Sequence, residues 1–143
     1  MKKIICSGAL FYTLSTKRFL TLHRTAKKNS VWGLVGGTNE ENETAWEALK
    51  REIKEEIGFL PEIKKTIPLE TFVSNDEHFH FHTYLCVVQD EFLPILNVEH
   101  DGYAWVEFGK WPKPLHQGLA NTLRSKTNQN KLQTVFELIN LIS

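Results

Sequence analysis

The fold and the chemistry turn on one stretch, GTNEENETAWEALKREIKEEIGF, residues 37–59. Thr44 followed by Glu47 forms a capping box, and Gly58 supplies the left-handed residue that ends a helix, so the spacing predicts a helix from Thr44 to Gly58. At about 100° per residue, with Glu52 set at zero, Leu49, Ile53, Trp46 and Ile57 fall between about 60° and 140° and define a buried stripe. Lys50, Lys54 and Glu47 lie opposite. Glu56 falls at about 40°, so Glu52 and Glu56 stand i, i+4 on the border of the apolar stripe, with Glu55 beside Glu52 at i, i+3. Three carboxylates share one edge. Like charges so placed repel, the more so when partly desolvated, unless a cation or strong donors compensate. Two readings stand. The edge is a solvated charged face with Arg51 pairing Glu55 and Glu47, or an oxygen-only site for a hard divalent ion, Mg²⁺ or Mn²⁺ over Zn²⁺.

Working outward, Ile4 to Thr13 and Arg18 to Arg24 read as strands rich in β-formers, joined by a polar turn at Ser15, Thr16 and Lys17. Ser30 to Gly37 is a short apolar run broken by glycines. Beyond the helix, Glu62 to Val73, His78 to Gln89 and Tyr103 to Phe108 read as further strands. Leu115 to Arg124 reads as a short helix, and Leu132, Val135, Phe136, Ile139 and Ile142 recur at helical spacing. This order predicts an α/β architecture with helices packed on a sheet. No repeat, low-complexity segment or linker divides the chain, so residues 1–143 are expected to form one domain.

With 17 basic and 17 acidic side chains among 143 residues, no strongly basic body exists to grip nucleic acid by its phosphates alone. An anionic partner therefore needs a local site. No apolar run approaches the roughly 20 residues of a membrane span, and the Met1 to Tyr12 stretch reads as a first strand in preference to a leader. Cys6 and Cys86 form neither a C-x-x-C pair nor a zinc spacing, which makes a reduced cytoplasmic setting the default and small buried hydrophobes their expected role.

The 23 residues quoted above resemble the Nudix hydrolase box, G-x5-E-x7-R-E-U-x-E-E-x-G-U, where U is bulky and apolar. Gly37, Glu43, Arg51, Glu52, Glu55, Glu56 and Gly58 fill the fixed positions, with Ile53 and Phe59 in the apolar ones. Matching this many residue types at fixed spacing is a specific signal. The flanks agree: Trp32-Gly33-Leu34-Val35-Gly36-Gly37 looks like the family's entry strand and loop, with Val35 where proline is frequent. Glu99-His100-Asp101-Gly102-Tyr103-Ala104-Trp105 looks like the lead into its last strand. The resemblance spans Ile4 to about Leu119 and implies an α/β/α sandwich around a mixed β-sheet.

It also implies hydrolysis of a pyrophosphate linkage in a nucleoside diphosphate derivative, by water attacking phosphorus. By the resemblance Glu52, Glu55 and Glu56 ligate Mg²⁺, or Mn²⁺, with the Gly37 carbonyl as a further ligand. Arg51 orients carboxylates, Glu43 among them. Family members differ in the general base: Glu52 is the first choice here and Glu99 the second, followed by Glu91 and Asp101. Arg24, Trp32 and Gly36 are the candidate substrate contacts, through phosphate pairing, base stacking and close backbone approach; solvent charge, core packing and a tight turn are the alternatives. On a strand His78, His80 and His82 share one side, a polar face or pocket wall in preference to a zinc comb. Trp105 and Trp111 are assigned to the core.

Ser74 to Glu77 carries neither the proline of ADP-ribose enzymes nor the tyrosine of diadenosine polyphosphate enzymes, which weighs against both subgroups without excluding either, and a small single domain fits a nucleoside triphosphate or an RNA 5′ end as partner at least as well. A Nudix-fold sensor that binds a nucleotide without cleaving it is the rival from another class, and the intact box argues against it. Whether the chain acts as a monomer or a homodimer stays open.

Overall fold

Strand β1 (Ile4–Thr13) runs through the middle of a seven-stranded mixed sheet. The computed structural model describes the backbone of residues 3–142 and the side chains of residues 3–140, so Met1, Lys2 and the Ile142 side chain lie outside it. β1 pairs in parallel with β6 (Phe79–Val88), from Ile4 opposite Phe79 to Thr13 opposite Val88. Its other edge pairs antiparallel, with β4 (Val35–Thr38) from Cys6 to Ala9 and with β2 (Arg18–Arg24) at Tyr12. β2 carries β3 (Trp32–Gly33) and β7 (His100–Glu107), and β5 (Lys65–Val73) borders β6. A parallel pair requires a long crossover. Between β1 and β6 the chain places helix α1 (Ala45–Ile57).

The strand period of two sorts the core into two layers. Ala9 and Phe11 of β1 share a face with Leu20, Leu22, Val35, Cys86 and Val88, and pack on Leu49, Ile53 and Ile57 of α1. The intervening Leu10 and Tyr12 share the other face with Phe19, Leu69, Leu85 and Val87, covered by Leu132 and Ile139 of α3 (Lys126–Ile142). The short α2 (Gln117–Arg124) precedes that helix. The result is the expected α/β/α sandwich. Each buried Leu or Ile stabilises it by about 1.5–3 kcal/mol relative to exposure, and Ile53, wholly buried, fixes which edge of α1 meets β4.

β1 and β2 have the expected bounds, while β5 begins at Lys65 instead of Glu62 and β7 at His100 instead of Tyr103. The Ser30–Gly37 run divides into β3 and β4, of 2 and 4 residues, too short to show a period. The 3-10 turn Ala26–Lys28 has no counterpart in the sequence pattern. Cys86 is buried and its thiol is pushed up to about 12 by burial; Cys6, half-buried, is also free. Trp105 and Trp111 pack on the two core layers as expected. Among the described residues no helix is long and apolar enough to cross a membrane.

Candidate active site

Both ends of α1 are fixed by the residues that predicted them. The Glu47 N–H donates to Thr44 Oγ1 at 3.1 Å and the Thr44 N–H to Glu47 Oε1 at 3.0 Å. Gly58 takes the left-handed conformation, φ 87°, and its N–H closes on the Lys54 carbonyl. Beside the helix, β4 lays Gly36 and Gly37 opposite Gly8 and Ser7 of β1. A Cβ on Gly37 would stand 2.6 Å from the Glu52 carboxylate, and one on Gly36 would stand 2.1 Å from the Ser7 carbonyl oxygen. Close approach, more than turn geometry, is what requires glycine at both positions.

Arg51 gathers the near half of the acidic edge. Its guanidinium grips Glu43 with two hydrogen bonds, Nε to Oε2 at 2.8 Å and Nη2 to Oε1 at 3.0 Å. Nη1 reaches Glu52 Oε1 at 3.0 Å and Glu55 Oε1 at 3.3 Å, and Nη2 also donates to the Thr38 carbonyl at 3.0 Å. The bidentate pair holds Glu43 below the ordinary carboxylate range, helped by the Glu40 N–H. The expected partner Glu47 is absent from this group because its carboxylate completes the helix cap.

Glu52 and Glu56 sit where water is scarce. The Glu52 side chain is 14% exposed, and burial raises its pKa against the pull of Arg51. Glu56 is 4% exposed, and its pKa is pushed up to about 8, first by burial and then by the charges of Glu52 and Glu99. The Gly36 N–H, donating to Glu56 Oε1 at 2.6 Å, and the charge of Arg24 oppose that rise. His100 Nδ1 lies 3.8 Å from Glu56 Oε2, buried and with no hydrogen-bond partner. Burial lowers the His100 pKa. Ligand atoms of Glu56, Glu99 and His100 fall within 4.8 Å of one another.

Glu99 is brought to Glu56 by a loop with no periodic pattern in its sequence. The Ile95 N–H donates to the Ile57 carbonyl at 2.9 Å, Asn97 Nδ2 donates to the Glu55 carbonyl at 3.0 Å, and the Glu99 N–H donates to Asn97 Oδ1 at 2.9 Å. The Asn97-Val98-Glu99 turn was readable as an Asx turn. His100, assigned no role from sequence, was signalled only by its place after Glu99.

The remaining candidates divide. Arg24 ends β2 beside a register shift, and its charge bears on Glu56, His100 and His116. Half-buried Trp32 has its ring 4.9 Å from that of His23, and its backbone is bound to Pro114 and His116. Glu55 stays 53% exposed and meets Arg51. Glu91 is taken by Arg18 and Thr16, and Asp101 by His23. His80 meets the Glu77 carbonyl and His82 the Thr71 hydroxyl; among the described residues these strand histidines form no metal-holding group.

The carboxylates suit a divalent cation. Glu56 is buried among like charges with an orphaned imidazole nitrogen beside it, and among the described residues no lysine or arginine side chain is hydrogen-bonded to it. The comparisons with known proteins agree with this chemistry. The family model described as NUDIX domain matches residues 6–125. Dihydroneopterin triphosphate diphosphatase of Haemophilus influenzae is 32% identical over 116 residues, covering 71% of this chain and 72% of that protein. Among solved structures, the MutT protein of Methanosarcina mazei Go1 superposes with TM-score 0.69 at 21% identity, over 91% of this chain and 96% of that one. The E. coli dihydroneopterin triphosphate pyrophosphohydrolase gives 0.57 at 21% identity, over 94% and 97%. At that identity the structures speak for the fold, while the box, the family model and the Haemophilus relative carry the rest: the chain belongs to the Nudix family and is a hydrolase acting on pyrophosphate bonds.

Proposed function

We propose that the protein is a Mg²⁺-dependent, cytoplasmic pyrophosphohydrolase that cuts the triphosphate of a small heterocyclic substrate, with dihydroneopterin triphosphate the first candidate and nucleoside triphosphates next. The observation that carries the metal-dependent chemistry is the position of Glu56: a carboxylate 4% exposed, beside Glu52, with burial and like charge both disfavouring its ionised form. The 32% identity to the Haemophilus enzyme supports the choice of substrate. Glu52, Glu55, Glu56 and the Gly37 carbonyl are the oxygen donors proposed for the ion. Bound there, Mg²⁺ supplies charge neutralisation for the phosphates and a lower pKa for the attacking water.

The chain's own groups do the rest. Glu52 accepts the proton of the attacking water, and Arg51, bonded to Glu43 and Glu52, keeps that carboxylate turned toward the site. The Gly36 N–H holds Glu56 in place, leaving its second oxygen for a ligand. Arg24 pairs with substrate phosphate and Trp32 stacks on the heterocycle. Water adds across a P–O–P linkage, which yields the monophosphate and inorganic pyrophosphate.

The test is turnover of dihydroneopterin triphosphate, the common nucleoside triphosphates and a 5′-triphosphate RNA by purified protein, with the phosphate products identified. Pyrophosphate release from the pterin at the highest kcat/KM, abolished by chelator, is expected. Full turnover in chelator refutes the metal dependence, and binding of these compounds without cleavage of any would make the protein a sensor.

A further inference from the structure

We propose that His100 is a nitrogen ligand of the divalent-cation site, so that Glu56, Glu99 and His100 hold one ion through two carboxylate oxygens and the imidazole Nδ1. The inference deepens the metal-dependent reading above and rests on it.

Its first support is distance. Two atoms bound to one ion at about 2.1 Å can be at most about 4.2 Å apart. Glu56 Oε2 and His100 Nδ1 are separated by 3.8 Å, beyond a hydrogen bond and within that limit. All three ligand atoms lie within 4.8 Å of one another, so they meet on one ion after shifts of roughly half an ångström.

The second support is the unsatisfied state of the imidazole itself. The His100 side chain is 4% exposed, and its Nδ1 is buried without a partner while pointing at Glu56. Buried ring nitrogens are ordinarily satisfied, so an orphan beside two acids marks a place for a ligand.

The backbone explains why the residue is held there. His100 opens β7 opposite Arg24, and its N–H donates to the Asn97 carbonyl at 3.3 Å. Asn97 also ties Glu99 to the end of α1. One latch therefore delivers both Glu99 and His100 to Glu56. In this arrangement Glu99 acts as a ligand and leaves the proton to Glu52. A nitrogen donor also tilts the site toward first-row transition ions, because imidazole favours them over Mg²⁺.

The experiment is electron spin-echo spectroscopy of Mn²⁺ bound to the full chain, with Mn²⁺ and Mg²⁺ affinities measured alongside. Wild-type protein should show ¹⁴N modulation from a coordinated imidazole. In His100→Gln the modulation should vanish and Mn²⁺ affinity fall about tenfold or more, with Mg²⁺ affinity changing less. His23→Gln and His116→Gln should keep the signal. Bound Mn²⁺ with no nitrogen modulation in the wild type overturns the inference and leaves the hydrolase reading standing, and so does modulation that survives His100→Gln. Should that variant fail to fold, the wild-type spectrum and the two controls still decide. Failure of the wild type to bind Mn²⁺ or Mg²⁺ at all overturns the inference and the metal-dependent reading together.

Discussion

One acidic edge of α1 is treated in opposite ways at its two ends. Around Arg51, the carboxylates of Glu43, Glu52 and Glu55 share one guanidinium, and Glu43 is held below the ordinary carboxylate range. Around Glu56 the described residues offer no such guanidinium grip: a backbone N–H and the charge of Arg24 oppose burial and two like charges, and the pKa goes up to about 8. The residue type is the same. Access to water and a paired cation decide the direction. The first group is complete within the protein, so it braces. The second has no such partner, which is what makes it the proposed seat of a cation.

The largest effect that separates the two ends is on rate. Glu52 belongs to both, bonded to Arg51 and raising the pKa of Glu56. In its proposed double role as proton acceptor and metal ligand, Glu52 is lost to both functions in Glu52→Gln, which should lower turnover by more than the roughly 10²- to 10⁴-fold of base removal alone. Glu99→Gln should weaken Mn²⁺ binding and turnover in step. Turnover lost at Glu99 with unchanged metal affinity would instead make Glu99 the base, and parallel kinetics and metal titrations of both variants decide it.

Next in size is the pH dependence of the metal-free protein. The folded-state pKa of Glu56 is about 8, against roughly 4.3 in an unfolded chain. Below the unfolded value both states hold the proton and the residue is neutral to stability. As pH rises, the unfolded state releases it first, so stability falls through the window from roughly pH 4 to about 8, by a few kcal/mol at most. Glu43, with a lowered pKa, acts in the other sense and loses its contribution only as pH falls below the unfolded value. Thermal melts in chelator from pH 5 to 8 should therefore show a declining Tm that Glu56→Gln flattens. An identical slope in that variant defeats the assignment. Metal affinity should rise over the same window as the ion displaces the proton.

Smaller again is the bracing end. Arg51→Lys keeps the charge and loses the two-pronged grip on Glu43, so turnover should drop about 10- to 100-fold with the fold retained. An unchanged kcat in that variant would show that Glu52 needs no bracing.

The sequence carried the helix and most of the sheet because both rest on local signals: a capping box, a terminal glycine, and apolar residues at periods of 3.6 and 2. Glu52 and Glu56 were legible as border residues for the same reason. β3 and β4 escaped because elements of 2 and 4 residues exist only through their pairing with β2 and β1. Helix spacing put Arg51 beside Glu55 and Glu47; Glu55 is kept, the cap has claimed the Glu47 carboxylate, and Arg51 grips Glu43, the loop partner that the resemblance implied. His100 was invisible as a site residue because its burial against Glu56 follows from a β7 that begins earlier than its apolar pattern and from the Asn97 latch. Long-range contacts, more than local propensity, set what sequence reasoning missed.

The smallest expected effect lies on the far side of the helix and tests whether the edge, and not the helix as a whole, is functional. Glu47 is exposed, and its one described role is to accept the Thr44 N–H while Thr44 accepts the Glu47 N–H. Glutamine fills that place in a capping box as well as glutamate does, since its amide oxygen accepts the same N–H. Glu47→Gln should therefore leave kcat and KM within about twofold of wild type and lower Tm only slightly, through the lost charge near the helix N-terminus. Thr44→Ala removes the hydroxyl that satisfies a helix N–H and should cost about 1 kcal/mol of stability, again without a specific loss of turnover below the melting range. If Glu47→Gln lowered turnover as far as Arg51→Lys, the two ends of the acidic edge would no longer be distinguishable from the rest of α1, and the helix would be acting through its overall charge.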